Sequence, residues 1–218
     1  MIVIAGMVGL GKTTLTDLIS KEMGIPAYYE SVRDNKILPL FYTATPDETE
    51  KNRYPFLLQL EFLRTRMKDL KAAVAQKNAV MDRSVYEDPY FAQKIFEEGR
   101  ISELELQIYL SLFKEMMEEI PGTPSKKPDV LIYLKASWQT VYSHLMKRGR
   151  AYELGEASLK HLEFLHAGYD DWLKNSYHES PVIVLDYDKG GILDNLAMKE
   201  NLLAQLREIS AKSHPIVK

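Results

Sequence analysis

The sequence predicts an α/β domain, with five parallel strands in one sheet and helices on both faces. Three observations carry this prediction. Short continuous apolar runs recur along the chain, as in strands buried on both sides. Segments with helical spacing separate them, which is the pattern of a parallel sheet. The chain has 218 residues, 45% hydrophobic and 27% charged, enough for one such domain with its own core, so residues 1–218 are read as a single unit.

The elements follow in order. Met1–Ala5 (MIVIA) is an apolar run suited to a buried strand, and Gly6–Gly11 is glycine-rich. Lys12–Met23 has helical spacing, with Leu15, Leu18 and Ile19 on one side and Gly24 and Pro26 closing it. Ala27–Glu30 is a second strand, Ser31–Asn35 a polar loop and Ile37–Tyr42 a short helix. Thr43–Asn52 (TATPDETEKN) is polar and expected to be a mobile loop. Arg53–Gln76 is a long helix and Ala79–Asp82 (AVMD) a third strand. Ser84–Glu98 and Ser102–Ile120 are helices, followed by a proline- and lysine-rich connection, Pro121–Pro128. Val130–Leu134 is the fourth strand, and Ser137–Arg148 and Ala157–Tyr177 are helices. Val182–Leu185 is the fifth strand and Asn195–Ser210 the last helix, before a polar tail at 211–218.

Composition narrows the function. The formal net charge is -3, so no global field draws in nucleic acid or an anionic membrane. There is no cysteine, which removes disulfides, thiolate zinc sites and cysteine nucleophiles and suits a cytoplasmic setting. Met1–Ala5 is too short for a secretory apolar region, and no apolar stretch has transmembrane length.

Gly6-Met7-Val8-Gly9-Leu10-Gly11-Lys12-Thr13 matches G-x-x-x-x-G-K-[ST] in full, between a predicted strand and a predicted helix. Such glycines let backbone amides converge on phosphate oxygens, and the helix start adds its dipole. Lys12 would reach the β- and γ-phosphates, and Thr13 would ligate Mg²⁺. The GTPase N-K-x-D motif is absent, since Asn35-Lys36 continues as Ile37-Leu38. A compact chain then favours transfer to a small acceptor.

Glu30 ends the second predicted strand and Asp82-Arg83 the third, and in open α/β sheets such ends line the ligand crevice. A carboxylate there needs a cation beside it, and Arg83 and Lys12 can serve. Glu30 is informative about the acceptor. An alcohol gains from a positioned base, whereas a phosphate acceptor wants cations, so Glu30 argues for a hydroxyl.

Taken together, the ordered motifs GMVGLGKTT, YESVRDN, LPLFY, DRSVYED and KRGRAYE resemble those of the deoxynucleoside kinases, especially the bacterial deoxyadenosine/deoxyguanosine kinases. The resemblance runs from the glycine-rich loop to about Tyr187. It implies a P-loop kinase fold with an Arg-rich lid at about 146–156. The implied reaction moves the γ-phosphate of ATP, or another nucleoside triphosphate, to the 5′-hydroxyl of a deoxyribonucleoside, with Mg²⁺. In that family's terms Glu30 is the general base, Arg83 binds near the 5′-oxygen, and Asp82 helps place Mg²⁺ through water. Gly6, Gly9, Gly11, Lys12, Thr13 and Thr14 hold ATP with the lid residues Arg148 and Arg150, and Tyr42 and Glu153 bind the sugar 3′-hydroxyl.

Gln59 and Arg66 flank Phe62 and Leu63 on one helix face, about 10 Å apart along the axis. The resemblance makes Gln59 the reader of the base edge and Arg66–Asp88 the pair of members that use purines and deoxycytidine. Deoxyadenosine or deoxyguanosine is expected, with deoxycytidine behind. An Arg66–Asp88 structural ion pair is the alternative. Tyr28, Phe41, Tyr86, Tyr90 and Phe91 could stack on a base, though such aromatics are more often core. The chain departs from close relatives at His144, where they carry an arginine, in a longer 43–52 loop, and at Tyr152.

Ser102–Ile120 carries apolar residues on more than one face, so burial on more than one side is expected. The family dimerises through this helix and the long one before it, which implies a homodimer with no nucleic-acid or membrane partner. Two rivals stand beside this reading. One is a nucleoside monophosphate kinase resembling thymidylate kinase, against which Glu30 and LPLFY argue. The other is a kinase-like binding subunit without catalysis, against which Lys12, Thr13, Glu30, Asp82 and Arg83 argue.

Overall fold

The computed structural model describes residues 1–30, 32, 34–76, 78–119 and 126–213. Ser31 and Arg33 of the expected polar loop, Ile120, most of the Pro121–Pro128 connection and the end of the 211–218 tail lie outside these residues. The elements run β1 (Ile2–Gly6), α1 (Lys12–Met23), β2 (Ala27–Tyr28), α2 (Ile37–Thr43), α3 (Pro46–Asn52), α4 (Tyr54–Val74), β3 (Val80–Asp82), α5 (Asp88–Glu97), α6 (Glu103–Glu118), β4 (Val130–Lys135), α7 (Trp138–Arg148), α8 (Glu156–Asn175), β5 (Val182–Asp186) and α9 (Leu196–Ser213). A single 3₁₀ turn, Val85–Glu87, opens the expected Ser84–Glu98 helix. The polar tail begins later than expected, because α9 runs on to Ser213.

The five strands form one sheet in the order β2-β3-β1-β4-β5, and every pairing is parallel. β1 is central, so β3 and β4 leave it on opposite sides and open a crevice above their carboxyl ends. Alternation in β1 and β3 feeds two cores. Ile2, Ile4 and Val80 join one with Leu15 and Ile19 of α1 and Leu202 and Leu206 of α9. Met1, Val3, Ala79 and Met81 join the other with Leu63, Met67 and Leu70 of α4. Sealing both faces is worth roughly 1.5–3 kcal/mol for each fully buried large aliphatic side chain.

The expected loop Thr43–Asn52 is a correction, because most of it is the capped helix α3. Thr45 Oγ1 accepts from the Glu48 amide at 3.3 Å, and Glu48 Oε2 accepts from the Thr45 amide at 2.9 Å. Pro46 at the first turn needs no amide partner, so the polar segment satisfies its own backbone without burying anything. Arg53 then turns the chain at φ 53° and ion-pairs with Glu105 of α6. Among the described residues no helix is long and apolar enough to cross a membrane.

Candidate active site

A cavity of about 780 Å³ opens above the carboxyl ends of the strands. Its base is the glycine loop. Gly6 has φ 137°, and a Cβ there would lie 2.8 Å from the Leu134 carbonyl oxygen, so the approach of β4 demands glycine. Gly11 starts α1 at φ 81°, which leaves the first amides of α1 without partners inside the helix. That end of a helix attracts an anion. Lys12 Nζ donates to the carbonyls of Gly6 and Met7, each at 3.0 Å. Burial first, then the charge of Arg83, lowers the Lys12 pKa to about 8, although Asp82, Glu30 and Glu87 pull the other way.

Gly9, Thr13 and Thr14 also line the cavity. Thr13 Oγ1 donates to Asp82 Oδ2 at 2.5 Å, while Asp82 Oδ1 is buried without a partner. Burial raises the Asp82 pKa against the pull of Lys12 and Thr13. A hydroxyl beside a carboxylate with an unused oxygen is a donor set that fits Mg²⁺. Among the described residues no group of three or more His, Asp or Glu forms that could hold a metal ion by itself.

Arg83 follows β3 with φ 79°, a strained backbone for any residue but glycine, at about 1–3 kcal/mol. The surroundings fix it. Its amide donates to the Ile4 carbonyl at 2.9 Å. Its guanidinium meets Glu87 at 2.8 Å, Glu30 at 3.2 Å and the Gly6 carbonyl at 3.3 Å. Glu87 is fully buried and also accepts from the Ser84 amide and the Tyr169 hydroxyl. Sequence reasoning missed Glu87. Its local signal was the Ser84-x-x-Glu87 capping box, but Tyr169 reaches it only through the fold.

Glu30 corrects a second expectation, since it does not end a strand. β2 pairs with β3 only at Ala27–Val80 and Tyr28–Met81. Continuing that register would set Glu30 opposite Arg83, where the left-handed backbone ends the ladder. Glu30 nevertheless lines the cavity, and it ion-pairs with both Arg83 and Arg66. Burial alone would raise its pKa. Arg83, then Arg66 and Lys12, outweigh burial and hold it at about 2.

Arg66 is shared. Nη2 meets Glu30 and Nη1 meets Asp88, while its Nε and Asp88 Oδ2 are buried without partners. Burial raises the Asp88 pKa to about 7 against the pull of Arg66. Three buried cations (Lys12, Arg66, Arg83) therefore face four carboxylates (Glu30, Asp82, Glu87, Asp88). Gln59 is 4% exposed, lines the cavity and has no side-chain partner among the described residues.

The expected Tyr42 and Glu153 both line the cavity. Burial, then the charge of Glu153, raises the Tyr42 pKa, so it stays a neutral donor. Glu153 ion-pairs with Arg148 and, at 3.5 Å, with Arg150. The two expected lid arginines thus lie on a carboxylate. Gly149, at φ 68°, ends α7 between them. His144, one turn before Arg148, donates from Nδ1 to the Gly9 carbonyl at 3.1 Å, which ties α7 to the glycine loop. Of the aromatics, Phe41 and Phe91 line the cavity and Tyr28, Tyr86 and Tyr90 do not. Tyr90 packs against Tyr169 and Trp172, and the Tyr86 hydroxyl donates to the Lys126 carbonyl.

The chain has known relatives. The family model for deoxynucleoside kinases matches residues 2–210. A deoxyadenosine kinase of Lactobacillus acidophilus is 36% identical over 211 residues, covering 95% of each chain. A deoxyguanosine kinase of Lactobacillus johnsonii is 39% identical over 215 residues, covering 97% of this chain and 92% of its own. The structure of a deoxyadenosine kinase from M. mycoides with bound dATP superposes with a TM-score of 0.75 at 28% identity, covering 94% of this chain and 98% of that one. A glycine loop at a helix start and a half-buried carboxylate between two arginines thus occur here on the P-loop kinase fold, and the chain belongs to the deoxynucleoside kinase family.

Proposed function

We propose that this kinase transfers the γ-phosphoryl group of ATP to the 5′-hydroxyl of deoxyadenosine or deoxyguanosine, with deoxycytidine as the next acceptor. One observation carries the assignment of roles. Glu30 is held ionised by Arg83 and Arg66 in the same cavity as the glycine loop. It is thus unprotonated and can accept the hydrogen bond of an alcohol and take its proton as the P–O bond forms, its basicity rising when the substrate displaces an arginine. Arg83 steadies the charge that develops on the transferring group. Little covalent chemistry is asked of the protein, and positioning does the rest.

Gly6, Gly9, Gly11 and Thr14 cradle the phosphates, and Lys12 turns from its two carbonyls to the β- and γ-oxygens. Thr13 and, through water, Asp82 would hold Mg²⁺, which when bound offsets the charge of the donor phosphates. Tyr42 and Glu153 take the sugar 3′-hydroxyl, and Arg148 and Arg150 then leave Glu153 for the phosphates. Gln59, Arg66 and Asp88 read the base. Arg66, which lines the cavity, donates to a carbonyl, and Asp88, held behind it, accepts from an amine once the base parts the pair. The purine preference is supported by the relatives named above.

A second copy of the chain covers α6. In one copy α6 buries only Leu106 and Tyr109, and Leu104, Ile108 and Leu112 stay exposed along one stripe. Leu57 of α4 is exposed as well. The working unit is a homodimer of single-domain chains, and the lack of cysteine suits the cytoplasm. Sedimentation checks the assembly, and a monomer at micromolar concentration overturns it. Rates across the four deoxynucleosides with ATP and Mg²⁺ check the reaction. The purine deoxynucleosides should be fastest. Thymidine as the best acceptor, or turnover only of deoxynucleoside monophosphates, overturns the reading.

A further inference from the structure

His161 belongs to none of the groups given a role so far. It sits on α8, is 6% exposed and lines the cavity. Its Nδ1 lies 2.6 Å from Oε2 of Glu98, the residue that caps the end of α5. A buried imidazole costs more than an apolar ring of its size, and the Glu98 carboxylate offsets that cost. Filling space alone would be served by leucine or phenylalanine.

The pair is the middle of a longer connection. Glu98 also lies 4.0 Å from Arg100. Arg100 Nη2 donates to the Phe41 carbonyl at 3.1 Å, and its guanidinium stands 3.8 Å over the Phe41 ring. The His161 ring meets Phe41 edge-on at 5.3 Å and Tyr42 at 6.3 Å. Tyr42 stacks on Tyr152 at 5.6 Å. Carboxylate, imidazole and guanidinium thus join the end of α5, α8 and the last turn of α2.

That last turn needs support. α2 has seven residues, too few to be stable alone, and its final carbonyls lack partners within the helix. Arg100 satisfies one of them, one residue before Tyr42. The backbone of Tyr42 is therefore set by Arg100 and its ring by His161, and Glu98 holds both.

We propose that Glu98, His161 and Arg100 form a clasp that positions Tyr42, and that this clasp sets how well the site distinguishes a sugar that has its 3′-hydroxyl from one that lacks it. The inference rests on the reading that Tyr42 meets that hydroxyl. His161 acts here as a positioning residue, through Tyr42.

Calorimetric binding of a 2′-deoxynucleoside and of the 2′,3′-dideoxynucleoside with the same base tests it, in wild type, Tyr42→Phe, His161→Leu and His161→Asn. In His161→Leu the deoxynucleoside should bind about tenfold more weakly, the equivalent of one hydrogen bond, while the dideoxynucleoside is nearly unaffected. His161→Asn should restore discrimination, because the asparagine amide nitrogen occupies nearly the place of Nδ1. Should His161→Leu fail to fold, Glu98→Met carries the same comparison. Equal weakening for both ligands would show general loosening and overturn the clasp. Should Tyr42→Phe lose discrimination while the His161 and Glu98 variants keep it, the clasp alone falls. Should Tyr42→Phe itself keep discrimination, the sugar reading falls and the clasp with it.

Discussion

On the function proposed above the cavity has a donor end and an acceptor end, and the two are built differently. The donor end is backbone, with Gly6, Gly9, Gly11 and the start of α1 contiguous in the chain, and one lysine folded over them. The acceptor end is side chains drawn from distant segments, with Glu30 after β2, Arg66 on α4, Arg83 after β3 and Glu153 before α8, and Asp88 stands behind Arg66 without lining the cavity. The donor end presents open amides. The acceptor end has its charges paired, Arg66 to Glu30 and Asp88, Arg83 to Glu87, and Glu153 to the lid arginine Arg148. A backbone cradle works for any triphosphate. A pocket of paired side chains admits only a ligand that can replace the partners it displaces, so selectivity belongs to the acceptor end.

Changing one end should leave the other intact. The largest effect is expected at Glu30. Removing one partner of a buried pair costs about 3–5 kcal/mol, so glutamine, which keeps the shape, is the better probe. Glu30→Gln should lower kcat by about 10²–10⁴ while ATP affinity stays near the wild-type value. Stopped-flow turnover and calorimetry read the two quantities, and a parallel loss of ATP binding would erase the distinction between the ends. A smaller effect is expected at the donor end. In the free enzyme Lys12 loses its proton as pH rises through about 8, whereas the negative charge of a bound triphosphate would keep it on. Binding above that pH takes up a proton, so the ATP Kd should rise about tenfold per pH unit. The deoxynucleoside Kd should not follow, and Lys12→Arg should flatten the ATP curve. A flat wild-type curve from pH 7.5 to about 9.5 would mean that Lys12 keeps its charge throughout.

The same contrast explains what could be read in advance. The glycine loop was legible because backbone recognition needs specific residues at fixed short spacing, and α1 has the bounds that its apolar spacing predicts. Glu30 was found at the cavity but assigned to a strand, since only the positive φ of Arg83 shows where the ladder stops. α3 carried its signal openly in Thr45-Pro46-Asp47-Glu48, yet without a buried residue it has no apolar periodicity to announce it. The long-range partners of Glu87 and His161 had no such signal. Tyr169 lies 82 positions from Glu87, and Glu98 lies 63 from His161, so their pairing exists only once the helices are packed. His144 read as a missing cation, while in the fold it is a strut against Gly9.

The bend at Arg83 limits how this scaffold can be altered. Glycine would relax that position but forfeit the guanidinium that Glu87, Glu30 and the Gly6 carbonyl share. Any other residue keeps the torsional penalty without that compensation. Redesign for a new nucleoside has freedom at Gln59, which holds no ion pair, whereas this corner must be inherited whole.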